Sequence, residues 1–328
     1  MRIAVTGSIA TDHLMVFPGR FTDQLIAEQL DKVSLSFLAD SLEIRRGGVA
    51  ANIAVGLGRL GLGPVLAGAV GGDFADYRAW LHDNGVDTEL VHVSESLHTA
   101  RFVCTTDADQ NQIATFYAGA MAEAKEITLA ATARRVGGLD LVVVAPNDPE
   151  AMRHHTDECR RLGIDFAADP SQQLARLDGQ ETRRLVDGAR FLFTNAYEAA
   201  LLQKQSGWSE EGVLERVGTW ITTLGPDGVV IARAGRPALR IPAVPTTDPV
   251  DPTGVGDAFR AGFLAGTAWD WSYERAAQLG CALATTVLES VGTQEYKLSV
   301  PDLLHRIGAT YGPEAVREIE PRLTAVPA

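Results

Sequence analysis

Asp251-Pro252-Thr253-Gly254-Val255-Gly256-Asp257-Ala258-Phe259-Arg260-Ala261-Gly262-Phe263 reads as a tight turn running into an apolar helix. Gly254 and Gly256 let the backbone turn sharply and come close to a ligand. The N–H groups of Gly254, Val255, Gly256 and Asp257 then stand at a helix start without intrahelical acceptors. Together with the helix dipole they make an anion site. A carboxylate beside such a site repels a phosphate, so Asp257 needs a task there. Accepting a proton from an attacking hydroxyl is one such task. The plainer reading is an acidic residue favoured in a first helical turn by the dipole alone.

Working outward from that turn, short β-branched runs alternate with amphipathic stretches. The runs at 3–6, 64–70, 140–145, 164–168, 190–194, 220–223 and 229–232 are expected to be strands. Several are apolar on both faces, as in a parallel sheet covered by helices. Stretches at 50–60, 150–162 and 210–217 carry the helical pattern between them. This order predicts an α/β fold with a doubly wound, mostly parallel sheet. Two segments break the pattern with period-two alternation, 11–45 and 98–121. Within the second, 101–105 and 112–117 flank the turn-like Asp107-Ala108-Asp109-Gln110-Asn111 and predict a β-hairpin. Leu42-Glu43-Ile44-Arg45 offers a further strand. The expected division is therefore a core of 1–10, 46–97 and 122–328 with a small inserted β-sheet lid of 11–45 and 98–121. A lid over a sheet edge excludes water from chemistry. From Pro301 the chain reads as one more packing helix and a frayed tail.

With 328 residues, 46% of them hydrophobic, one large domain with a small appendage fits. The net charge of −13 argues against a nucleic-acid partner. It leaves room for a nucleotide held at a helix start. Cys104, Cys159 and Cys281 are odd in number and far apart, which suits a reducing cytoplasm better than a disulfide framework or a structural zinc site. No apolar run approaches the ~20 residues that a membrane helix needs, and the opening Ile3-Ala4-Val5 reads as a buried strand rather than a leader.

A second motif, Arg46-Gly47-Gly48-Val49-Ala50-Ala51-Asn52, sets a Gly-Gly pair before a small-residue helix. Asn52 offers a donor and an acceptor to a polyol; a plain loop-to-helix turn is the alternative. The two motifs together, Gly-Gly-x-Ala-x-Asn early and Asp-x-Thr-Gly-x-Gly-Asp late, resemble those of the PfkB, or ribokinase-like, family of carbohydrate and nucleoside kinases. The resemblance spans nearly the whole chain. The stretches 5–14, 34–38 and 168–174 are similar to adenosine kinases of the actinobacterial, mycobacterial type.

That resemblance implies an ATP-dependent kinase using Mg²⁺, with Asp257 as catalytic base and Gly254, Val255 and Gly256 as the anion hole. It implies that Asp12 holds ribose hydroxyls beside Gly48 and Asn52. Asn195 and Glu198 match a motif linked to Mg²⁺ and phosphate, Glu198 acting through water. Thr223, Gly225, Asp227 and Gly228 match the strand and turn that flank ATP. Asp251 and Thr253 match a monovalent-cation site, hence K⁺. Pro252 and Val255 depart from the commoner small or hydroxyl residues there. Relatives include monomers and lid-paired dimers, and the exposed side of the lid sheet could pair with a second copy as a homodimer.

A nucleoside acceptor needs an apolar slot for its base. Phe102 and Phe116 on the hairpin could clamp a purine, Gln172 and Gln173 could meet its polar edge, and Ser8 and Ser36 could complete the ribose shell. Adenosine, phosphorylated at its 5′-hydroxyl in purine salvage, is the expected substrate. Ribose, fructose, inosine and guanosine are the alternatives, and a non-catalytic nucleoside sensor is the rival from another class. Gly56-Leu57-Gly58-Arg59-Leu60-Gly61 matches a dinucleotide pattern, but the helix precedes it and the strand follows, the reverse of what that site requires. His155 and Cys159, one helical turn apart, are read as part of a solvated helix rather than as metal ligands. No P-loop motif is present in the sequence.

Overall fold

The computed structural model describes residues 1–25, 32 and 34–325. Parts of the expected lid segment (26–31 and 33) and of the expected tail (326–328) lie outside the described residues. An eight-stranded sheet runs in the order β14-β13-β12-β11-β10-β9-β1-β4. Its strands are β1 (Ile3–Thr6), β4 (Val65–Ala67), β9 (Leu141–Val144), β10 (Asp165–Ala168), β11 (Phe191–Asn195), β12 (Thr219–Thr223), β13 (Val229–Arg233) and β14 (Arg236–Ile241). Neighbours from β4 to β12 pair in parallel; β13 and β14 are antiparallel. β14 was not expected to be a strand, because Pro237 interrupts its run. It lies at the sheet edge, where a residue without an N–H is tolerated.

Alternate residues of each central strand face opposite layers. Val5, Val143, Phe191 and Phe193 pack against α1 (Val49–Arg59), α2 (Ala75–Asp83), α8 (Val255–Ala268), α9 (Tyr273–Leu288), α10 (Val300–Tyr311) and α11 (Pro313–Leu323). Ala4, Val142, Phe166 and Leu192 pack against α3 (Leu129–Val136), α4 (Pro149–Leu162), α5 (Gly179–Val186), α6 (Ala196–Ser206) and α7 (Glu210–Leu214). This is the doubly wound sheet expected from the sequence, with helices on both faces. α7 stops short of the expected 217.

A second sheet of four strands has the order β3-β2-β7-β8. β2 (Ala10–Val16) follows β1 after a short link, and β3 (Ser41–Gly47), β7 (Ala100–Thr106) and β8 (Gln112–Tyr117) complete it. β7 and β8 form the expected hairpin, antiparallel in register Phe102 to Phe116. A short pair, β5 (Ala69–Val70) and β6 (His92–Val93), joins in parallel beside the core. Gly56 and Gly58 fall inside α1 and Gly61 just beyond it, so the dinucleotide-like pattern does end a helix.

Candidate active site

The order of strands reverses around β1, with β4 on one side and β9 on the other. In open α/β sheets the crevice at the carboxyl ends beside such a reversal takes ligands. Here it is walled by the ends of β1 and β9 (Ser8, Pro146), by the start of α8 (Gly254, Asp257) and by the four-stranded sheet (Asp12, Phe102, Phe116), enclosing about 850 Å³. Gly48, Asn52, Gln172, Gln173, Asp251 and Thr253 also line it. A smaller cavity of about 350 Å³ lies on the other side of the α8 start. Thr223, Gly225, Pro226, Gly228, Val255, Gly256 and Phe259 wall it, with apolar residues of α9 behind them. Residues 254–257 thus stand between two cavities.

Gly254 caps α8 with φ +77°, a left-handed conformation that side chains rarely adopt. A Cβ there would also stand 2.9 Å from Thr293. No side chain caps this helix start, and helix geometry leaves the first-turn N–H groups without intrahelical acceptors. Asp257 follows at once, buried, with Oδ2 accepting a hydrogen bond from Asn52 Nδ2 at 2.8 Å. Burial raises its carboxyl from 3.8 to about 6; the Arg260 charge and the Asn52 bond oppose the rise, and Glu198 adds to it. Above that pH the group is an ionised acceptor in a poorly hydrated site, which is what a general base requires.

Asn52 was expected to serve a polyol. Its amide is instead fixed from behind: Gln294 Nε2 donates to Asn52 Oδ1 at 2.8 Å, and Thr293 Oγ lies 2.9 Å from the same oxygen. Gln294 in turn donates to Tyr77 Oη at 2.6 Å and receives Trp80 Nε1 at 3.0 Å. These bonds leave the Asn52 NH₂ pointing at Asp257. Nothing in the spacing of Thr293, Gln294 or Tyr77 announced this chain of bonds.

Across the lid sheet, Asp12 pairs in register with Phe102, and Phe102 with Phe116. Cross-strand partners share a face, so one carboxylate and two rings meet the large cavity together. Burial raises Asp12 to about 6, with Arg45 opposing and Glu295 and Asp251 adding to the rise. Ser8 lines the cavity, but its Oγ accepts the Val49 N–H at 3.0 Å and so fixes the start of α1. Ser36 is a correction. It does not line the cavity, because its neighbour Phe37 anchors the segment elsewhere, 5.0 Å from Phe17 and 4.8 Å from Phe21 between ring centroids.

The expected nucleotide residues divide. Thr223, Gly225, Gly228 and Gly256 line the smaller cavity; Asp227 does not and is exposed on a short turn. Asn195 and Glu198 form a reciprocal cap on α6. Asn195 Oδ1 accepts the Glu198 N–H and Glu198 Oε2 accepts the Asn195 N–H, each at 2.8 Å. The Glu198 charge nonetheless acts on Asp257 and on Asp169. Free amides beside an apolar slot fit a nucleotide, and the Glu198 carboxylate, close enough for its charge to act on Asp257, fits an ion held through water. Asp251 is occupied within its own loop: Oδ1 accepts the Thr253 N–H at 2.9 Å and Oδ2 the Gly292 N–H at 3.0 Å. Burial alone would raise it, but the Thr253 and Gly292 bonds and the Arg45 charge hold it below the usual carboxylate range.

The sequence reading also passed over Arg260 and Asp169, a buried ion pair at 2.6 Å. A lone Arg in the apolar run Ala258-Phe259-Arg260-Ala261 was the signal available. His155 and Cys159 are a second correction. Both are buried rather than solvated. The His155 ring sits between Thr6 Oγ at 2.6 Å and Ile127 O at 3.2 Å, and burial lowers it to about 4. α4 packs that face on the sheet, which its charged neighbours concealed. Among the described residues no cluster of three His, Cys, Asp or Glu could hold a metal ion, and no helix is long and apolar enough to cross a membrane.

Residues 8–299 match the family model described as pfkB family carbohydrate kinase. A nucleoside kinase of Methanothermobacter thermautotrophicus is 32% identical over 272 residues, covering 82% of this chain and 86% of that one. The nucleoside kinase of Burkholderia thailandensis, solved in complex with inosine, is 33% identical with a TM-score of 0.81, covering 94% of this chain and 98% of that one. The nucleoside kinase of Methanocaldococcus jannaschii, an archaeal member of the ribokinase family, superposes with a TM-score of 0.81 at 26% identity, covering 94% and 99%.

Proposed function

The chain belongs to the pfkB family of carbohydrate kinases, and on that premise we propose that it transfers the γ-phosphoryl of ATP to the 5′-hydroxyl of a purine nucleoside. The sequence favoured adenosine, through the likeness to actinobacterial adenosine kinases and the proposed base slot, with inosine, guanosine, ribose and fructose as alternatives. The relatives found favour a broader acceptor range. Several of them are nucleoside kinases, one solved with inosine, so inosine and guanosine are proposed as acceptors beside adenosine. The observation that carries the reading is the position of Asp257 and the α8 amides between a large, mixed polar and aromatic cavity and a small, apolar one.

In this reading the nucleoside fills the large cavity, with its base between Phe102 and Phe116 near Gln172 and Gln173 and its ribose at Asp12 and Gly48. Residues 11–45 and 98–121 act as the lid. ATP lies along Thr223, Gly225 and Gly228, with its γ-phosphoryl at the amides of Gly254, Val255 and Gly256. The 5′-oxygen attacks phosphorus, its proton passes to Asp257, and the bond to the β-phosphate oxygen breaks to release ADP. A placed base contributes about 10²–10⁴-fold, and each anion-hole donor a comparable ~10²–10³-fold. Mg²⁺ neutralises charge on the phosphates when bound; Glu198 would hold it through water, with Asn195 beside it at the phosphates. K⁺ activation rests on Asp251 and Thr253. The open edge β3, with Leu42 and Ile44 exposed, supports pairing of two lids in a homodimer.

An ATP-coupled assay over adenosine, inosine, guanosine, ribose and fructose, with and without K⁺, tests this. The expected result is kcat/KM for the nucleosides at least about tenfold above either sugar, the loss that unpaired polar groups and an unfilled base slot impose. A preference for ribose or fructose would overturn the nucleoside reading. Binding of nucleoside without ATP consumption would identify a sensor instead.

A further inference from the structure

Arg260 is the one charged residue on the buried length of α8 that the proposed reaction leaves without work. It lies on the turn of helix directly after Asp257. Its Nη2 donates to Asp169 Oδ1 at 2.6 Å, and both residues are shut off from solvent. The guanidinium stacks over the Phe193 ring, 5.6 Å from its centroid. It also lies against the anion-site glycine, since a Cβ built on Gly256 would fall 2.7 Å from Arg260 Nη1. Arg260 lines neither cavity. Arg260 Nε and Asp169 Oδ2 have no protein partner among the described residues. An ion pair buried at such cost, with bonds to spare, is a poor stabiliser and calls for another reason to exist.

We propose that Arg260, clamped by Asp169, is a positioning residue: a fixed positive charge under the start of α8 that governs the charge state of the base Asp257 and reinforces the anion hole. The idea deepens the proposed kinase reading and rests on Asp257 being the base. The charged groups facing Asp257 are few. Arg260 follows on its own helix, Asp169 lies after β10, Glu198 opens α6, and Arg176 lines the large cavity; α1 presents only the neutral Asn52. Arg260 is the largest influence opposing the burial of Asp257. A guanidinium cannot lose its proton in this range, so the influence is constant across the working pH. Asp169 fixes the guanidinium and also dilutes its charge. The two halves of the pair act on Asp257 unequally: the guanidinium stays charged throughout, whereas burial raises the Asp169 carboxyl to about 7, so that it dilutes the charge only where it is ionised.

That inequality gives a test that packing alone would not pass. The kcat–pH profile is measured with ATP and adenosine for the full-length protein and for Arg260→Met, Asp169→Asn and Arg260→Lys. The acid limb is expected to move up by about one pH unit or more in Arg260→Met, the size of effect an adjacent opposite charge has. It should move far less in Asp169→Asn, because burial raises the Asp169 carboxyl to about 7 and so leaves it largely uncharged on that limb, and stay near its place in Arg260→Lys. The KM for adenosine should hardly change. Should Arg260→Met fail to fold because Asp169 is stranded, Arg260→Met with Asp169→Asn removes both charges and should still move the limb up. Coincident limbs in all folded variants would overturn the proposal while leaving the base reading intact. Asp257→Asn measured alongside keeps the two apart, because near-normal turnover in that variant would sink the base reading itself.

Discussion

Along β11 every side chain from Phe191 to Thr194 is buried, whereas along β8 every one from Gln112 to Tyr117 is exposed. The first strand sits mid-sheet between helices, and the second is the outer strand of the small sheet, with neither face covered. Burial on both faces makes the core rigid, and it is the core that carries Asp257, Asn52 and the α8 amides. The lid carries Asp12, Phe102 and Phe116. In the proposed reaction, groups that must be held within tenths of an ångström ride on the layer that cannot yield, and groups that admit and grip a ligand ride on the layer that can. Core-side changes should therefore act on kcat or on stability, and lid-side changes on KM.

The sharpest way to break that division is Asp257→Asn. Steady-state kinetics should show kcat lowered by about 10²–10⁴-fold with the fold kept; a folded variant with turnover near that of the parent would dissolve the contrast. Next is Leu192→Ala on β11, fully buried, which should cost about 2–5 kcal/mol in urea unfolding. Replacing Phe102 and Phe116 by Ala should raise the nucleoside KM by roughly 5–150-fold, the equivalent of about 1–3 kcal/mol of stacking per base, with the ATP KM little changed. Equal changes in both constants would place the rings outside the acceptor site.

The acidic limb sharpens the comparison further. Burial has raised Asp257 from 3.8 to about 6, and the ionised form is the proposed base, so kcat should fall as pH drops through that value. Stability runs the opposite way. A carboxyl raised in the folded state stabilises the fold when protonated and loses that contribution as pH rises through its folded value. Asp257→Asn should thus melt like the parent near pH 3.8 and at a higher temperature above about 6, as thermal denaturation across pH would reveal. The smallest effect belongs to the lid's outer surface. Ile113→Ala on β8, at the edge away from β3 and at a residue 46% exposed, should shift stability by less than about 0.5 kcal/mol.

The elements of the core were legible in the sequence because each apolar run is short, β-branched and set off by helical periodicity. The glycine turn before α8 was legible for the same local reason: Gly254 occupies a conformation that other residues rarely adopt. The edge strand β14 was not, since Pro237 hides a strand wherever position in the sheet is unknown. His155 and Cys159 were misjudged because the charged residues around them mask which face of α4 meets the sheet. Ser36 was misplaced because an aromatic cluster with Phe17 and Phe21 directs its segment away from the cavity.

By itself the sequence determined the alternating α/β order, the turn that bares amides at 254–257, and a carboxylate at that turn. Backbone periodicity and glycine conformation are properties of a few neighbouring residues, so they can be read from a short window. Only the tertiary structure decided which charges and amides face that carboxylate. Asn52 reaches Asp257 across 205 positions of chain, and Asp169 reaches Arg260 across 91. Desolvation and pairing depend on what the fold brings alongside, and no local pattern records that.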